Sequence, residues 1–139
     1  MTDNPLVLPQ LKYVHPVEAI AWLCRVFAFS EESRMVDADG TLLIAALRSP
    51  LGGRLMIGGR QPTDGDVGSP ATVDAFREAP YAITVMVDDV DAHCAHAVAE
   101  GAQIFQPLRD QPWGWRDYEP VDLEGRFWNF SQLLGPDQL

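Results

Sequence analysis

Aromatic and charged side chains gather in the last third of the chain, where they could bind a flat or sugar-like small molecule. Trp113 and Trp115 flank a glycine just before a predicted strand, so their rings share a strand face or bracket the mouth of a loop. Aromatic planes beside a concave sheet can stack on a ligand, and Arg109 and Arg116 could pair with its carboxylate. The rings could equally close one end of the sheet or form a subunit interface.

Spacing elsewhere predicts no catalytic residue. His93 and His96 are three apart on a predicted helix, but no Glu is placed with them as in HExxH, and we interpret them as solvated or edge-of-core side chains. His15 precedes a helix-opening proline and is interpreted as a surface turn residue. The acidic run 88–91 is explained by capping, because carboxylates are stable at a helix N-terminus. The sequence contains no Ser/His/Asp or Cys/His arrangement that spacing supports, and no phosphate-binding glycine motif.

The composition predicts a single globular domain over 1–139 and excludes several partners. The chain carries 20 Asp and Glu against 10 Lys and Arg, a formal net charge of −10. Nucleic acid is not an expected partner, because neutralising phosphates needs clustered Lys and Arg. No apolar run approaches the ~20 residues that span a bilayer, and no secretory signal is visible, so we expect a cytoplasmic protein without a membrane partner. The charge is compatible with a cationic or neutral ligand, and also with simple solubility.

The predicted elements follow the order βαβββ twice. In the first module, 5–60, Pro16 suits the first position of a helix over 16–28. In the second, 81–134, Asp89 caps a helix that ends at Gly101 and carries Val90, Cys94, Ala97 and Val98 on one stripe. We predict strands over 8–14, 35–37, 41–47, 54–58, 81–87, 103–106, 115–121 and 126–131. The range 61–80 reads as a linker that could also form a lid.

A tight turn is predicted at 122–125, Asp-Leu-Glu-Gly, between the last two strands. Asp122 can accept hydrogen bonds from its own backbone further on, and Gly125 supplies a positive φ. Alternation along the strands separates two faces, since residues two apart point the same way. It assigns to the helix side Ile83, Val85, Val87, Trp128 and Phe130. It assigns to the open side Ala82, Thr84, Met86, Phe127, Asn129 and Ser131. The cysteines, Cys24 and Cys94, are interpreted as reduced core thiols.

These motifs resemble the vicinal oxygen chelate superfamily, which includes glyoxalase I, extradiol dioxygenases and bleomycin-resistance proteins. The run 13–23 resembles its first strand and helix, 85–92 its fifth strand entering the second helix, and 122–130 its terminal Asp-Pro-x-Gly hairpin, with Leu123 replacing proline. Trp128 and the segment 116–118 are most similar to a PhnB-like or uncharacterised glyoxalase-like branch. The resemblance implies an α+β fold of two tandem βαβββ modules forming a curved mixed sheet, and a homodimer whose paired modules build cup-shaped sites.

The resemblance also implies where a metal would bind. In metal-dependent members, His, Gln or Glu side chains inside the cup hold a divalent ion, and those positions fall near Leu8, on Ala82 and on Asn129. Leu and Ala offer no ligating atom, and Asn alone is a weak ligand. We therefore predict no metal and no cofactor.

The resulting hypothesis is a metal-free small-molecule binding protein that sequesters a cationic or aromatic compound, akin to the drug-sequestering branch of the superfamily. Eight side chains are predicted to contact the ligand: Thr84, Met86, Trp113, Trp115, Arg116, Tyr118, Phe127 and Asn129. Two alternatives stay open. One is a metal-dependent lyase, isomerase or dioxygenase with an unrecognised ligand set, and the other is a dimeric interaction module without a ligand.

Overall fold

The computed structural model describes residues 7–63 and 79–136, which form two four-stranded mixed sheets, each accompanied by one helix. The chain divides into two compact units, Met1–Pro62 and Thr63–Leu139. Each unit holds one βαβββ module, so the predicted tandem architecture is confirmed. The greater part of the predicted linker, 64–78, lies outside the described residues.

The first unit is built on the sheet β1-β4-β3-β2, in which β1 and β4 run parallel and the other pairs antiparallel. Helix α1 buries five residues of one stripe, Ala19, Ile20, Leu23, Val26 and Phe27. Pro16 opens α1 as predicted, and Ala28 ends it in a left-handed conformation. The elements are β1 (Gln10–Tyr13), α1 (Pro16–Phe27), β2 (Ser30–Val36), β3 (Leu42–Arg48) and β4 (Arg54–Gly59).

The second unit repeats this arrangement in the sheet β5-β8-β7-β6, with β5 parallel to β8. Asp89 caps its helix as predicted, because the Asp89 carboxylate accepts a hydrogen bond of 3.0 Å from the backbone N–H of Ala92. The elements are β5 (Ile83–Met86), α2 (Val90–Ala99), β6 (Gln103–Asp110), β7 (Trp115–Val121) and β8 (Trp128–Leu133).

Helix α2 covers one face of this sheet. The ring of His93 lies 4.2 Å from that of Phe130, centroid to centroid, and Trp128 is 1% exposed on the same face. The predicted helix stripe was wrong at Val98, which is 53% exposed, whereas His93 is buried. The histidines were interpreted as solvated or edge-of-core side chains, and the second interpretation holds for His93. Cys94 is buried, and both cysteines are free.

The predicted turn is confirmed in detail. Asp122 Oδ1 accepts hydrogen bonds from the backbone N–H groups of Glu124 and Arg126, at 2.9 and 3.0 Å. Gly125 has φ +85°, a conformation that favours glycine. The second oxygen, Oδ2, accepts the indole N–H of Trp128 at 3.0 Å. One carboxylate thus fixes both the turn and the side chain that follows it, and this sets the register of β8.

In the part of the chain that the structure describes, neither helix is long and apolar enough to cross a membrane.

Candidate functional site

The candidate site lies on the face of the second sheet that α2 leaves uncovered, which we call the open face. Strand β7 places Trp115, Asp117 and Glu119 there, because these residues alternate with Arg116 and Tyr118. Its neighbour β8 contributes Asn129 and Ser131, in pairs that the register fixes: Asp117 opposite Ser131, and Thr84 of β5 beside Asn129. The open face therefore combines two carboxylates with an amide and two hydroxyl groups.

Asn129 joins the two carboxylates. Its side-chain nitrogen donates to Asp117 Oδ2 at 3.1 Å and to Glu119 Oε1 at 3.2 Å. Its Oδ1 accepts a hydrogen bond from the hydroxyl of Ser131. Because both ends of the amide are engaged, its orientation is fixed with the donor toward the acidic pair.

Strand β6 supplies further donors. Gln111, just beyond its end, donates to both oxygens of Asp117, at 3.1 and 3.2 Å. Arg109 reaches across from β6 to both acids, with Nε 3.4 Å from Asp117 Oδ1 and Nη2 3.2 Å from Glu119 Oε1. The side chain of Asp117 is 4% exposed, and its charge is stabilised by these three partners together.

Glu119 is the less stabilised of the two acids. Burial raises the pKa of its carboxyl, and the charge of Asp117 raises it further, while the hydrogen bond from Asn129 and the positive charge of Arg109 oppose this. All the hydrogen bonds that Glu119 accepts from described residues go to Oε1. The Glu119 carboxylate therefore has an oxygen and a charge that a ligand could satisfy.

A cavity of about 310 Å³ lies beside Glu119. Its lining residues include three aromatic residues and two alanines, with Thr84, Glu119 and Asn129 as the polar residues. They comprise Ala79, Tyr81, Ala82, Thr84, Glu119, Phe127, Trp128 and Asn129. Few polar groups in a mainly apolar concavity is the usual character of a small-molecule site.

The structure brings three of the eight predicted ligand contacts together in this cavity: Thr84, Phe127 and Asn129. Met86 lies on the same face of β5, paired with Ser131, but outside the cavity wall. Trp113 and Trp115 also lie outside it and pack edge-to-face on each other, with ring centroids 6.5 Å apart. Within the described chain, the indole nitrogen of Trp113 is buried without a hydrogen-bond partner.

The structure contradicts the placement of Tyr118 among the ligand contacts. Its side chain is fully buried on the helix-covered face, stacked on Phe130, with its hydroxyl 2.6 Å from His93 Nδ1. Burial raises the pKa of Tyr118 well above its ordinary value. Tyr118 is three residues from Trp115, so the two side chains point to opposite faces of β7.

Arg116 also lies away from the cavity, and its predicted contact with a ligand stays a prediction. It faces the same way as Tyr118, and its guanidinium is already paired inside the protein. Its Nε lies 2.7 Å from Asp110 Oδ1, and its Nη1 lies 3.2 Å from Asp91 Oδ2 on α2. These contacts give Arg116 a role in tethering helix α2 to the sheet, away from the cavity.

Residues 14–129 match the model of the Glyoxalase/Bleomycin resistance protein/Dioxygenase superfamily. The chain belongs to this superfamily. Uncharacterized proteins of Mycobacterium tuberculosis strain H37Rv and Mycobacterium bovis are 31% identical over 129 residues, which is 93% of this chain and 75% and 84% of theirs. The resemblance to the superfamily is therefore confirmed, while the PhnB-like branch stays a prediction.

Two solved structures share the fold. TioX from Micromonospora sp. ML1 is 36% identical and covers 97% of this chain and 99% of its own, with a TM-score of 0.69. TnmS3, an antibiotic binding protein from Streptomyces sp. CB03234, is 17% identical, with a TM-score of 0.65 and coverage of 96% and 98%. At that identity, TnmS3 shows a common fold alone.

The residues present do not fit the metal that the superfamily's enzymes use. Ala82 lies in the cavity wall without a ligating atom, and Leu8 precedes β1 with a side chain that cannot bind a metal. Asn129 turns its amide nitrogen, a donor, toward the acids. Across residues 7–63 and 79–136, no three His, Cys, Asp or Glu side chains are grouped so as to hold a metal ion.

Sequence reasoning missed the acidic pair itself. Asp117 and Glu119 lie in the same predicted strand as Trp115 and Tyr118. The alternation used for β5 and β8 would have placed both acids on the open face if it had been applied to that strand as well.

Gln111 carried no such signal, since it lies past the end of β6. Tyr81 was misplaced, because alternation along the predicted strand 81–87 puts it on the helix side with Ile83, whereas β5 begins only at Ile83.

Proposed function

We propose that this protein binds a cationic, aromatic small molecule in the cavity of its second unit and sequesters it without a metal. The observation that carries the proposal is the position of Glu119, an acid on the open face that lines a cavity of about 310 Å³ together with aromatic residues. A cation held there would meet a carboxylate on one side and ring faces on the other.

Charge favours a cation over other ligands. Tyr81 and Phe127 offer rings to which a positive charge is attracted, and Tyr81 is 60% exposed, so its ring is accessible to a ligand. The chain as a whole carries a net charge of −10, which repels anions and attracts cations at long range. Such a ligand would stabilise the ionised form of Glu119, because its positive charge opposes the effect of burial, which disfavours the ionised carboxylate.

Sequestration fits the site better than turnover. The two superfamily metal positions in the second unit are Ala82 and Asn129, so no Lewis acid is provided for at those positions. Binding requires only shape and charge, which the cavity supplies. The superfamily fold supports such a role elsewhere, since TnmS3 is an antibiotic binding protein.

The test is binding of three tricyclic probes of matched size at pH 8: N-methylacridinium as the cation, acridine as the neutral ring and anthracene-2-carboxylate as the anion. Binding is followed by the fluorescence of the probes themselves, and we expect the cation to bind at the lowest concentration, because Glu119 lines the cavity. Glu119→Gln should weaken its binding about tenfold, equivalent to about 1.4 kcal/mol. Asp110→Asn, which removes an exposed carboxylate outside the cavity wall, is the matched control and should have no effect.

Equal affinity of the cation for wild type and Glu119→Gln would contradict the proposal. So would tighter binding of the anion than of the cation.

A metal-dependent lyase, isomerase or dioxygenase is the rival function, and one observation favours it. Asp117 and Glu119 both accept a hydrogen bond from the side-chain nitrogen of Asn129, so two carboxylates lie on the same face of the sheet, and carboxylate oxygens are ligands of hard cations. Metal analysis of protein purified without chelator or His-tag decides between the two. Stoichiometric Zn, Ni, Mn or Fe would favour the enzyme; substoichiometric metal is the result we expect.

We also propose a homodimer, the assembly that the superfamily resemblance implies. Light scattering during size-exclusion chromatography should give twice the mass of one chain.

A further inference from the structure

We propose that Arg109 sets the charge preference of the cavity, by neutralising one of the two negative charges that Asp117 and Glu119 bring to the site. This inference rests on the proposed function and adds to it the class of ligand: a compound that presents a single positive charge to the site. It makes Arg109 a specificity-determining residue that touches the acids instead of the cavity wall.

The geometry of Arg109 is that of an internal counter-ion. It stands directly opposite Asp117 in the register of β6 and β7, and its guanidinium spans Asp117 and the Oε1 of Glu119. Two carboxylates with one guanidinium leave one net negative charge at the site. A ligand with one positive charge completes the neutralisation, whereas a second positive charge would face Arg109 with no carboxylate to pair with.

Arg109 is also held more loosely than the other arginine of this sheet. Its contacts to the two acids are 3.4 and 3.2 Å, and its side chain is 45% exposed. Arg116 by contrast binds Asp110 at 2.7 Å. A guanidinium with long contacts and access to solvent can shift when a ligand cation approaches, because water replaces the hydrogen bonds it gives up.

Asp117 and Glu119 would respond differently to the loss of Arg109. Asp117 keeps the donors Gln111 and Asn129, whereas Glu119 keeps Asn129 alone. The field of Arg109 therefore acts chiefly on Glu119, the acid in the cavity wall. Since the positive charge of Arg109 lowers the pKa of Glu119, its removal should raise that pKa.

The experiment replaces the charge and keeps a planar donor, as Arg109→Gln, with Arg116→Gln as the matched control on the opposite face. The same three probes are titrated at pH 8. We expect Arg109→Gln to bind N-methylacridinium about tenfold more tightly, acridine unchanged and anthracene-2-carboxylate more weakly. The control should leave all three unchanged. A shift of all three affinities in the same direction would show that Arg109 only supports the structure, and would overturn the inference.

A second readout needs no ligand. The carboxyl pKa of Glu119 is followed by carbon-13 NMR in wild type and Arg109→Gln, and we expect it to rise in the variant, because the positive charge that lowers it is removed. An unchanged pKa overturns the inference even if the probes bind. If the pKa rises while no probe binds to wild type, the electrostatic role of Arg109 stands and the proposed function is what fails.

Discussion

The side-chain amide nitrogen of Asn129 lies 3.2 Å from Glu119 Oε1, across the two central strands of the second sheet. Position 129 is where the superfamily resemblance places a metal-ligating acid. Here that position holds a hydrogen-bond donor, and the acid stands on the neighbouring strand. The negative charge of the site is thus carried by β7, where protein donors bind both carboxylates and Glu119 lines the cavity. It does not lie at the positions where the superfamily resemblance places metal ligands.

Glu119 should make stability depend on pH. Because its folded-state pKa is raised above the ordinary value of 4.5, the folded protein holds this proton more tightly than the unfolded chain. Its contribution is fully present below about pH 4.5 and is lost as pH rises through the folded-state pKa. The free energy of unfolding of Glu119→Gln, relative to wild type, should therefore increase from pH 4 to pH 8 in urea titrations. A difference that stays constant, or decreases, would contradict the raised pKa.

Asp122→Ala should destabilise the protein by about 3 kcal/mol. The substitution removes the acceptor of two backbone N–H groups and of the buried indole N–H of Trp128. Hydrogen bonds to a charged acceptor contribute more to stability than those between neutral groups. Urea unfolding followed by tryptophan fluorescence measures the loss. Asp110→Ala, which removes an exposed carboxylate of the same sheet, is the control, and an equal effect of both variants would contradict the role given to Asp122.

Two tryptophans should differ in how much stability the same substitution costs. Trp128→Phe removes a buried hydrogen bond and part of a core ring, and should cost about 2 kcal/mol of unfolding free energy. Trp113→Phe removes an N–H that is buried without a partner among the described residues, so stability should stay within about 0.5 kcal/mol or rise. A loss above about 1 kcal/mol at position 113 would show that this N–H has a partner after all.

Tyr118→Phe should separate stability from binding. It removes a buried hydroxyl 2.6 Å from His93 Nδ1, and the loss of this buried hydrogen bond should cost about 1 kcal/mol of unfolding free energy. Affinity for N-methylacridinium should not change, since Tyr118 faces helix α2. Weakened probe binding in a variant of unchanged stability would return Tyr118 to the ligand site.

Sequence alone predicted the fold because its signals are local. The turn at Asp122 fixes register, and from it alternation placed Trp128 and Phe130 under the helix and Asn129 on the open face. The same rule was not carried into β7. Grouping Tyr118 with the tryptophans as one aromatic cluster hid the fact that side chains three apart on a strand diverge, and it also hid Asp117 and Glu119.

The partners of the acidic pair could not be predicted in this way. The pairing of β6 with β7 shifts register between Ile104 and Gln106 and again between Gln106 and Arg109. Each irregularity changes which side chains stand opposite one another, so counting along the sequence does not place Arg109 across from Asp117. That pairing depends on the folded sheet.

The central claim is that a cation binds beside Glu119 and Asn129, and mapping by NMR tests it most directly. N-methylacridinium is added to nitrogen-15-labelled protein, and chemical-shift changes are followed for backbone amides and for side-chain amides. We expect the largest chemical-shift changes at the Asn129 side-chain amide and at the backbone amides of Thr84 and Phe127, and we expect these changes to disappear in Glu119→Gln. Saturable binding of the cation without chemical-shift changes at these three residues, or with equal changes in Glu119→Gln, would contradict binding beside Glu119 and Asn129.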